Sequence, residues 1–289
     1  MKGPRDAARR FRPRGASRST EGQTGVIRKG RVAFLFAAPL VALVTGNAFA
    51  ALPFITDDAE TLGRGTSQVE LFYAGDTDKE TVGGSTVKTG GNLPGATFGY
   101  GVAETLDLTL GFARGWGDST VDGVRSNDPG SAVFTLSAKW NLFEKREFYA
   151  AVKPLVGYSY RVGGASEDHA TSYGGWLIAT KEHEALAVSL NGGFLYNDYG
   201  SAAERRASRS SIWILSALGT YKVLEGLRLG LDVGANTNPD KASGEMPAYA
   251  LGGAIWSPNK NVDPSLGLKF GLNRPEPDFA GIAGITVRF

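Results

Sequence analysis

The 289-residue sequence predicts an all-β protein, a transmembrane antiparallel up-and-down β-barrel of about twelve strands that follows a cleaved signal peptide. Three observations predict it. Apolar residues recur with period two through nearly the whole chain after residue 66. Long polar connections alternate with short turns. The last strand alternates to the final residue, with Val287 and Phe289 apolar and Thr286 and Arg288 polar, and it ends on an aromatic carboxylate.

The N-terminal region sets the compartment. "VAFLFAAPLVALV" (residues 32–44) is uncharged, follows Arg28, Lys29 and Arg31, and precedes "TGNAFA" with small residues at Ala48 and Ala50. This is a basic n-region, an apolar h-region and an A-x-A cleavage site. The run is too short for a membrane helix of about 20 residues and is interrupted by Pro39. The domain reading is therefore a basic disordered extension and n-region at 1–31, the h-region and cleavage site at 32–50, a periplasmic lead-in at 51–66 and the barrel at 67–289. The n-region is unusually long, and Val26 is an ordinary start position for such a signal.

Residues 1–31 hold ten of the 31 Lys and Arg and two of the 29 Asp and Glu, so the remainder carries 21 cations against 27 acids, a net charge of −6. That balance removes the electrostatic case for nucleic-acid binding. The chain has no Cys, so disulfides and thiolate metal sites are both excluded.

The strands follow in order. In "QVELFY" Val69, Leu71 and Tyr73 oppose Gln68, Glu70 and Phe72; in "LDLTLGFA" Leu106, Leu108, Leu110 and Phe112 oppose Asp107, Thr109 and Gly111. "FYAAVKPLVGYSY", "LAVSLNGGFLY", "LRLGLDVGA" and "VDPSLGLKFGL" repeat the pattern, with Lys153, Arg228, Asp232, Asp263 and Lys269 on the minority face. "SYGGWLIAT" is compatible with either facing. Long polar stretches are expected at 75–90, 115–130, 161–170, 197–210, 237–245 and 273–280, and short turns at 103–105, 144–147, 181–185, 224–226 and 258–261. Long loops at one end and short turns at the other distinguish a membrane barrel from a soluble sandwich. Both termini then fall on the periplasmic side, and aromatics at strand ends, Tyr73, Trp140, Phe148, Tyr158, Tyr160, Tyr196, Trp213, Tyr221 and Trp256, suit interfacial girdles.

A cation facing lipid at mid-depth costs about 2–4 kcal/mol, so the minority-face charges point into the lumen. The expected solute path comprises Lys139, Lys153, Asp107, Arg228, Asp232 and Lys269. Lys139 and Lys153 flank one short turn and should lie close together, either in an ion-pair ladder with Asp107, Asp232 and Asp263, the reading put first, or as a basic patch for anions. Barrel closure is assigned to Glu70, Arg288 and Phe289, with Glu70 and Arg288 expected to pair across the first and last strands. Asp57 and Asp58 read first as a solvated lead-in, with a periplasmic latch against lumenal cations as the alternative.

The segments "LPFITDDAETLGRGTSQVELFY", "LPGATFGYGVAETLDLTLGF" and "AGITVRF" resemble an outer-membrane transporter-like family labelled after a meta-pathway of phenol degradation. Thr56-Asp57-Asp58 and Gly63-Arg64-Gly65 are the most specific part of the match. The resemblance implies a barrel that admits aromatic or other small hydrophobic solutes, and a terminal Phe that the outer-membrane barrel assembly machinery reads. The function expected is thus a channel for small solutes in the outer membrane of a Gram-negative bacterium, with the lipid bilayer and that machinery as partners. The alternatives are a non-conducting structural or adhesive barrel and an outer-membrane hydrolase. The last has little support: His169 and His183 are expected at opposite ends of the barrel, and Ser166 and Asp168 lie too near His169 in one loop for a triad. No phosphate loop, zinc motif or calcium-loop spacing appears, so no cofactor and no metal are expected.

Overall fold

The computed structural model describes residues 52–289. The signal peptide and n-region expected at 1–50 lie outside the described residues. Twelve strands form one closed antiparallel barrel in sequence order. They are β1 (Ser67–Val82), β2 (Ser85–Ala103), β3 (Leu106–Val121), β4 (Val124–Lys145), β5 (Phe148–Arg161), β6 (His169–His183), β7 (Leu186–Tyr199), β8 (Ser211–Leu224), β9 (Leu227–Asn236), β10 (Ala248–Trp256), β11 (Val262–Gly271) and β12 (Phe279–Arg288). A short helix, α1 (Ala202–Ala207), lies between β7 and β8 and is capped by Ser201.

Closure comes from β1 pairing with β12, from Gln68 opposite Arg288 to Thr77 opposite Phe279. Ser67 and Phe289 complete the seam: Phe289 N donates to Ser67 O at 2.9 Å and Ser67 N to Phe289 O at 3.3 Å. With every strand paired on both sides, the wall leaves no open edge, as a lipid environment demands.

Solvent exposure is inverted relative to a soluble sheet. Leu110, Leu177, Leu215, Leu231 and Leu266 are 58–69% exposed on the outer face, whereas Glu70, Asp107, Lys153, Asp232 and Lys269 are at most 4% exposed on the inner one. Only lipid rewards that arrangement, because apolar surface then meets hydrocarbon and the charges find partners inside. The facing of β6 is settled with Tyr173 and Leu177 outward and Trp176 and Ile178 inward.

Two of the expected long loops are corrected. Residues 75–90 and 115–130 continue as strand to two-residue turns at Gly83-Gly84 and Asp122-Gly123, with Lys79 opposite Lys88 and Thr120 opposite Arg125. All four turn residues have positive φ, from 48° to 90°, which is the geometry that continues the strand twist through a tight hairpin. The polarity that suggested loops marks wall rising above the bilayer. β1 to β4 are 16, 19, 16 and 22 residues long against 9 or 10 for β9 to β12, so the wall is tall on one side and low on the other.

Candidate functional site: a lumen crossed by the chain's own N-terminal segment

The solvated lead-in is also corrected. Residues 52–66 run inside the barrel and touch the inner face of almost every strand. Glycines make room for the first turn of this path. A Cβ built on Gly284 of β12 would lie 2.8 Å from Leu52, one on Gly267 of β11 would lie 2.9 Å from Pro53, and one on Gly230 of β9 would lie 2.4 Å from Phe54. Phe54 joins an apolar cluster with Leu93, Leu218, Tyr249, Leu251 and Ile282.

Polar contacts hold the middle of the segment. Asp232 of β9 accepts from Ile55 N at 2.6 Å, Thr56 N at 2.8 Å, Thr56 Oγ1 at 2.7 Å and Tyr249 Oη at 3.1 Å. Asp57 then spans two lysines, with Oδ1 at 3.1 Å from Lys139 Nζ on β4 and Oδ2 at 2.5 Å from Lys153 Nζ on β5. Lys139 also reaches Asp58 Oδ1 at 3.4 Å. Asn191 of β7, with its amide in the orientation that satisfies both atoms, donates to Asp57 O at 2.9 Å and accepts from Asp57 N at 2.6 Å. Ala59 N donates to Thr180 Oγ1 on β6 at 2.9 Å, and Asn141 Nδ2 donates to Ala59 O at 3.2 Å.

The far end docks on β2 and β3. Leu62 N donates to Asp107 Oδ2 at 2.9 Å. Gly65 N donates to Gly101 O at 2.8 Å, and Gly101 N donates to Thr66 O at 2.9 Å. A Cβ on Gly101 would lie 1.8 Å from Gly63 O, so this backbone approach requires glycine. The chain then enters β1 at Ser67.

Several pairings differ from expectation. The lysines do not form a ladder with wall aspartates: Asp107 and Asp232 bind the segment, and Asp263 pairs with Arg288 at 2.7 Å. The inserted chain supplies the lysines' carboxylates because it lies at their level in the lumen. The Glu70 to Arg288 pair is absent. Register places Glu70 opposite Thr286 and Arg288 opposite Gln68, so Arg288 Nε donates to Gln68 Oε1 at 3.0 Å while Glu70 accepts from Thr97 Oγ1 at 3.2 Å and Thr286 Oγ1 at 3.4 Å. Lys269 pairs with Glu276 of the β11–β12 loop, 5.8 Å from the Tyr249 ring centre.

Below the segment lies a cavity of about 390 Å³ lined by Asp57, Asp58, Glu60, Arg228, Ile255 and the β10–β11 turn at Ser257 and Lys260. Arg228 faces this cavity and has no ion-pair partner among the described residues. Sequence reasoning missed Asn191, Thr180, Tyr249 and Glu276. Asn191 and Thr180 lie on the inward parity of their strands, which was the available signal; Glu276 lies in a loop and carried none.

These features, a closed twelve-strand wall with an apolar exterior and a charged, internally bridged lumen, define an outer-membrane β-barrel. Residues 31–289 match the family described as "Putative MetA-pathway of phenol degradation", and the chain belongs to that family. Its fold is similar to an outer membrane channel from Pseudomonas putida F1 (16% identity, 80% of this chain and 98% of that one, TM-score 0.60). It is also similar to the translocator domain of the autotransporter NalP from Neisseria meningitidis (15% identity, 87% and 94%, TM-score 0.54) and to the KdgM porin in complex with oligogalacturonate (10% identity, 77% and 99%, TM-score 0.50). At these identities the likeness is one of fold. No curated protein matches the chain.

Proposed function

We propose that the protein is an outer-membrane channel for small solutes, aromatic or hydrophobic compounds among them, whose resting lumen is occupied by its own N-terminal segment. One observation carries the reading: the segment is not part of the wall. It is attached to the barrel covalently only through β1, and it docks through side-chain hydrogen bonds, ion pairs, contacts over glycine and one pair of backbone hydrogen bonds at Gly101 rather than through a continuous β-ladder. A wall built from about twelve strands encloses a narrow lumen once such a segment withdraws. The inward apolar cluster of Leu155, Trp176, Ile178, Leu195 and Ile212, against which Ala59 of the segment packs, supports apolar solutes, since it offers them an apolar surface once the segment withdraws. Among the residues assigned to the solute path, Lys139, Lys153, Asp107 and Asp232 contact the segment, Arg228 lines the cavity, and Lys269 lies towards the long-loop end. The barrel assembly machinery is the proposed folding partner through Phe289, which is 72% exposed at the end of β12.

The density of contacts on the segment favours a second reading, a permanently filled structural barrel. Planar-bilayer conductance and liposome swelling separate the two. A channel shows conductance that rises when Asp57 and Asp58 are changed to Asn; a filled barrel stays silent in both forms.

A further inference from the structure

Asp57 is held by its carboxylate, and the place it occupies has the composition of a ligand site. Each carboxylate oxygen meets a different ammonium group. The pairs Ser137 opposite Leu155 and Trp140 opposite Val152 bracket Lys139 and Lys153, so both lysines project from adjoining strands at one level. Ser137, two residues from Lys139 on the same inward row, is 3% exposed, and its Oγ has no hydrogen-bond partner.

The other side of the site is apolar. Lys153 pairs on β6 with Trp176, which is 5% exposed and packs with Leu155, Ile178, Leu195 and Ile212; Ala59 is inserted into this same cluster. Two ammonium groups for a carboxylate head thus adjoin an aromatic and aliphatic wall for a body. The chain's own Asp57 and Ala59 fill the two halves.

We propose that this is a binding site for small monocarboxylates with an apolar body, of the size of benzoate, and that Asp57 to Ala59 form a resident pseudo-ligand that such a solute displaces. The proposal rests on the channel reading and names its solute class. Charge decides the class. Exchanging the Asp57 carboxylate for a solute carboxylate keeps an anion bridging both lysines, whereas a neutral phenol or alcohol entering in its place would withdraw that bridging carboxylate without replacing it.

The test is calorimetric titration of the full-length protein in detergent with sodium benzoate and, as the neutral counterpart, benzyl alcohol. Asp57→Asn with Asp58→Asn removes the competing carboxylates and should tighten benzoate binding about tenfold; adding Lys139→Met and Lys153→Met should cancel that gain. Benzyl alcohol should bind alike in all forms. Benzoate binding that is unchanged by the lysine substitutions, or no tighter in the Asn variant, overturns the proposal. Should the Asn variant not fold, an otherwise unaltered Ala59→Cys protein serves: benzoate should speed its modification by a water-soluble maleimide about tenfold over benzyl alcohol, and equal rates overturn the proposal. Bilayer conductance is recorded separately, so that a protein which binds benzoate without conducting refutes the channel while leaving the site in place.

Discussion

Thr56 Oγ1 donates to Asp232 Oδ1 at 2.7 Å, and neither residue has measurable solvent exposure. Asp232 accepts four hydrogen bonds in all, three of them from the inserted segment, and a carboxylate is the one side chain that offers only acceptors to such a set. Asp232→Asn turns one oxygen into a donor that faces other donors. Bonds to a charged group contribute about 1.5–3 kcal/mol each, so the segment should be released by roughly 3 kcal/mol or more. The chain lacks Cys, which makes a single Ala59→Cys reporter clean: its maleimide labelling should rise at least about a hundredfold with Asp232→Asn, and an unchanged rate would show that the segment is held elsewhere.

The closing seam yields a second expectation. Arg288 reaches Asp263 across β11 and Gln68 across β1, whereas Glu70 bonds to hydroxyls one inward position further along. A double-mutant cycle on Arg288→Met and Asp263→Asn, read by urea unfolding from vesicles, should give a coupling of up to about 1 kcal/mol, as cross-strand ion pairs do. The same cycle on Arg288 and Glu70 should give none. Coupling in the second cycle would mean that the β1–β12 seam is shifted by one inward pair, and no coupling in the first that Arg288 and Asp263 do not pair.

The barrel was legible because lipid requires an apolar outer face, and apolar residues recur at every second position where the strands cross the membrane. The hairpins at Gly83-Gly84 and Asp122-Gly123 were hidden because strand above the bilayer has no lipid face and so loses its alternation, although Asp-Gly is itself a hairpin signal. The inward direction of Lys139 and Lys153 follows from the cost of charge in lipid. Their partner does not, because the position of Asp57 depends on a non-repetitive segment folding back into the lumen. The inward glycines at 101, 230, 253, 267 and 284 carried that information. A small inward row reads equally as open space or as a bed for another piece of chain, and the bed is what Phe54, Pro53 and Leu52 use.

That bed makes a third prediction. Gly101→Ala places a methyl 1.8 Å from Gly63 O, a contact that only backbone movement relieves, and overpacking of this kind costs about 1–3 kcal/mol. Gly219, on β8, has nothing within 4 Å of a built Cβ, so Gly219→Ala serves as the control. Both variants should remain heat-modifiable in detergent gels, since the wall pairing is intact, but only Gly101→Ala should raise Ala59→Cys labelling. Equal labelling of the two would separate the docking of Gly63 to Thr66 from retention of the segment.

A fourth concerns the long-loop end, outside the membrane. Glu204 in the first turn of α1 has its Oε2 buried without a partner, and burial, with Asp168 nearby, raises its carboxyl above the ordinary 4.5; Arg161 and His169 oppose the shift. The sign follows from linkage: a carboxyl whose folded value is raised binds its proton more tightly when the loop is ordered. The charged form therefore weakens the loop at neutral pH, and the penalty is relieved as pH falls through the folded value toward 4.5. Amide hydrogen exchange across residues 200–210 should slow between pH 7 and pH 5, after correction for the intrinsic rate. Glu204→Gln keeps the shape without the charge, so it should give the slow rate at both pH values. A loop whose corrected exchange is faster at the lower pH, or whose pH dependence survives Glu204→Gln, would place the titrating group elsewhere.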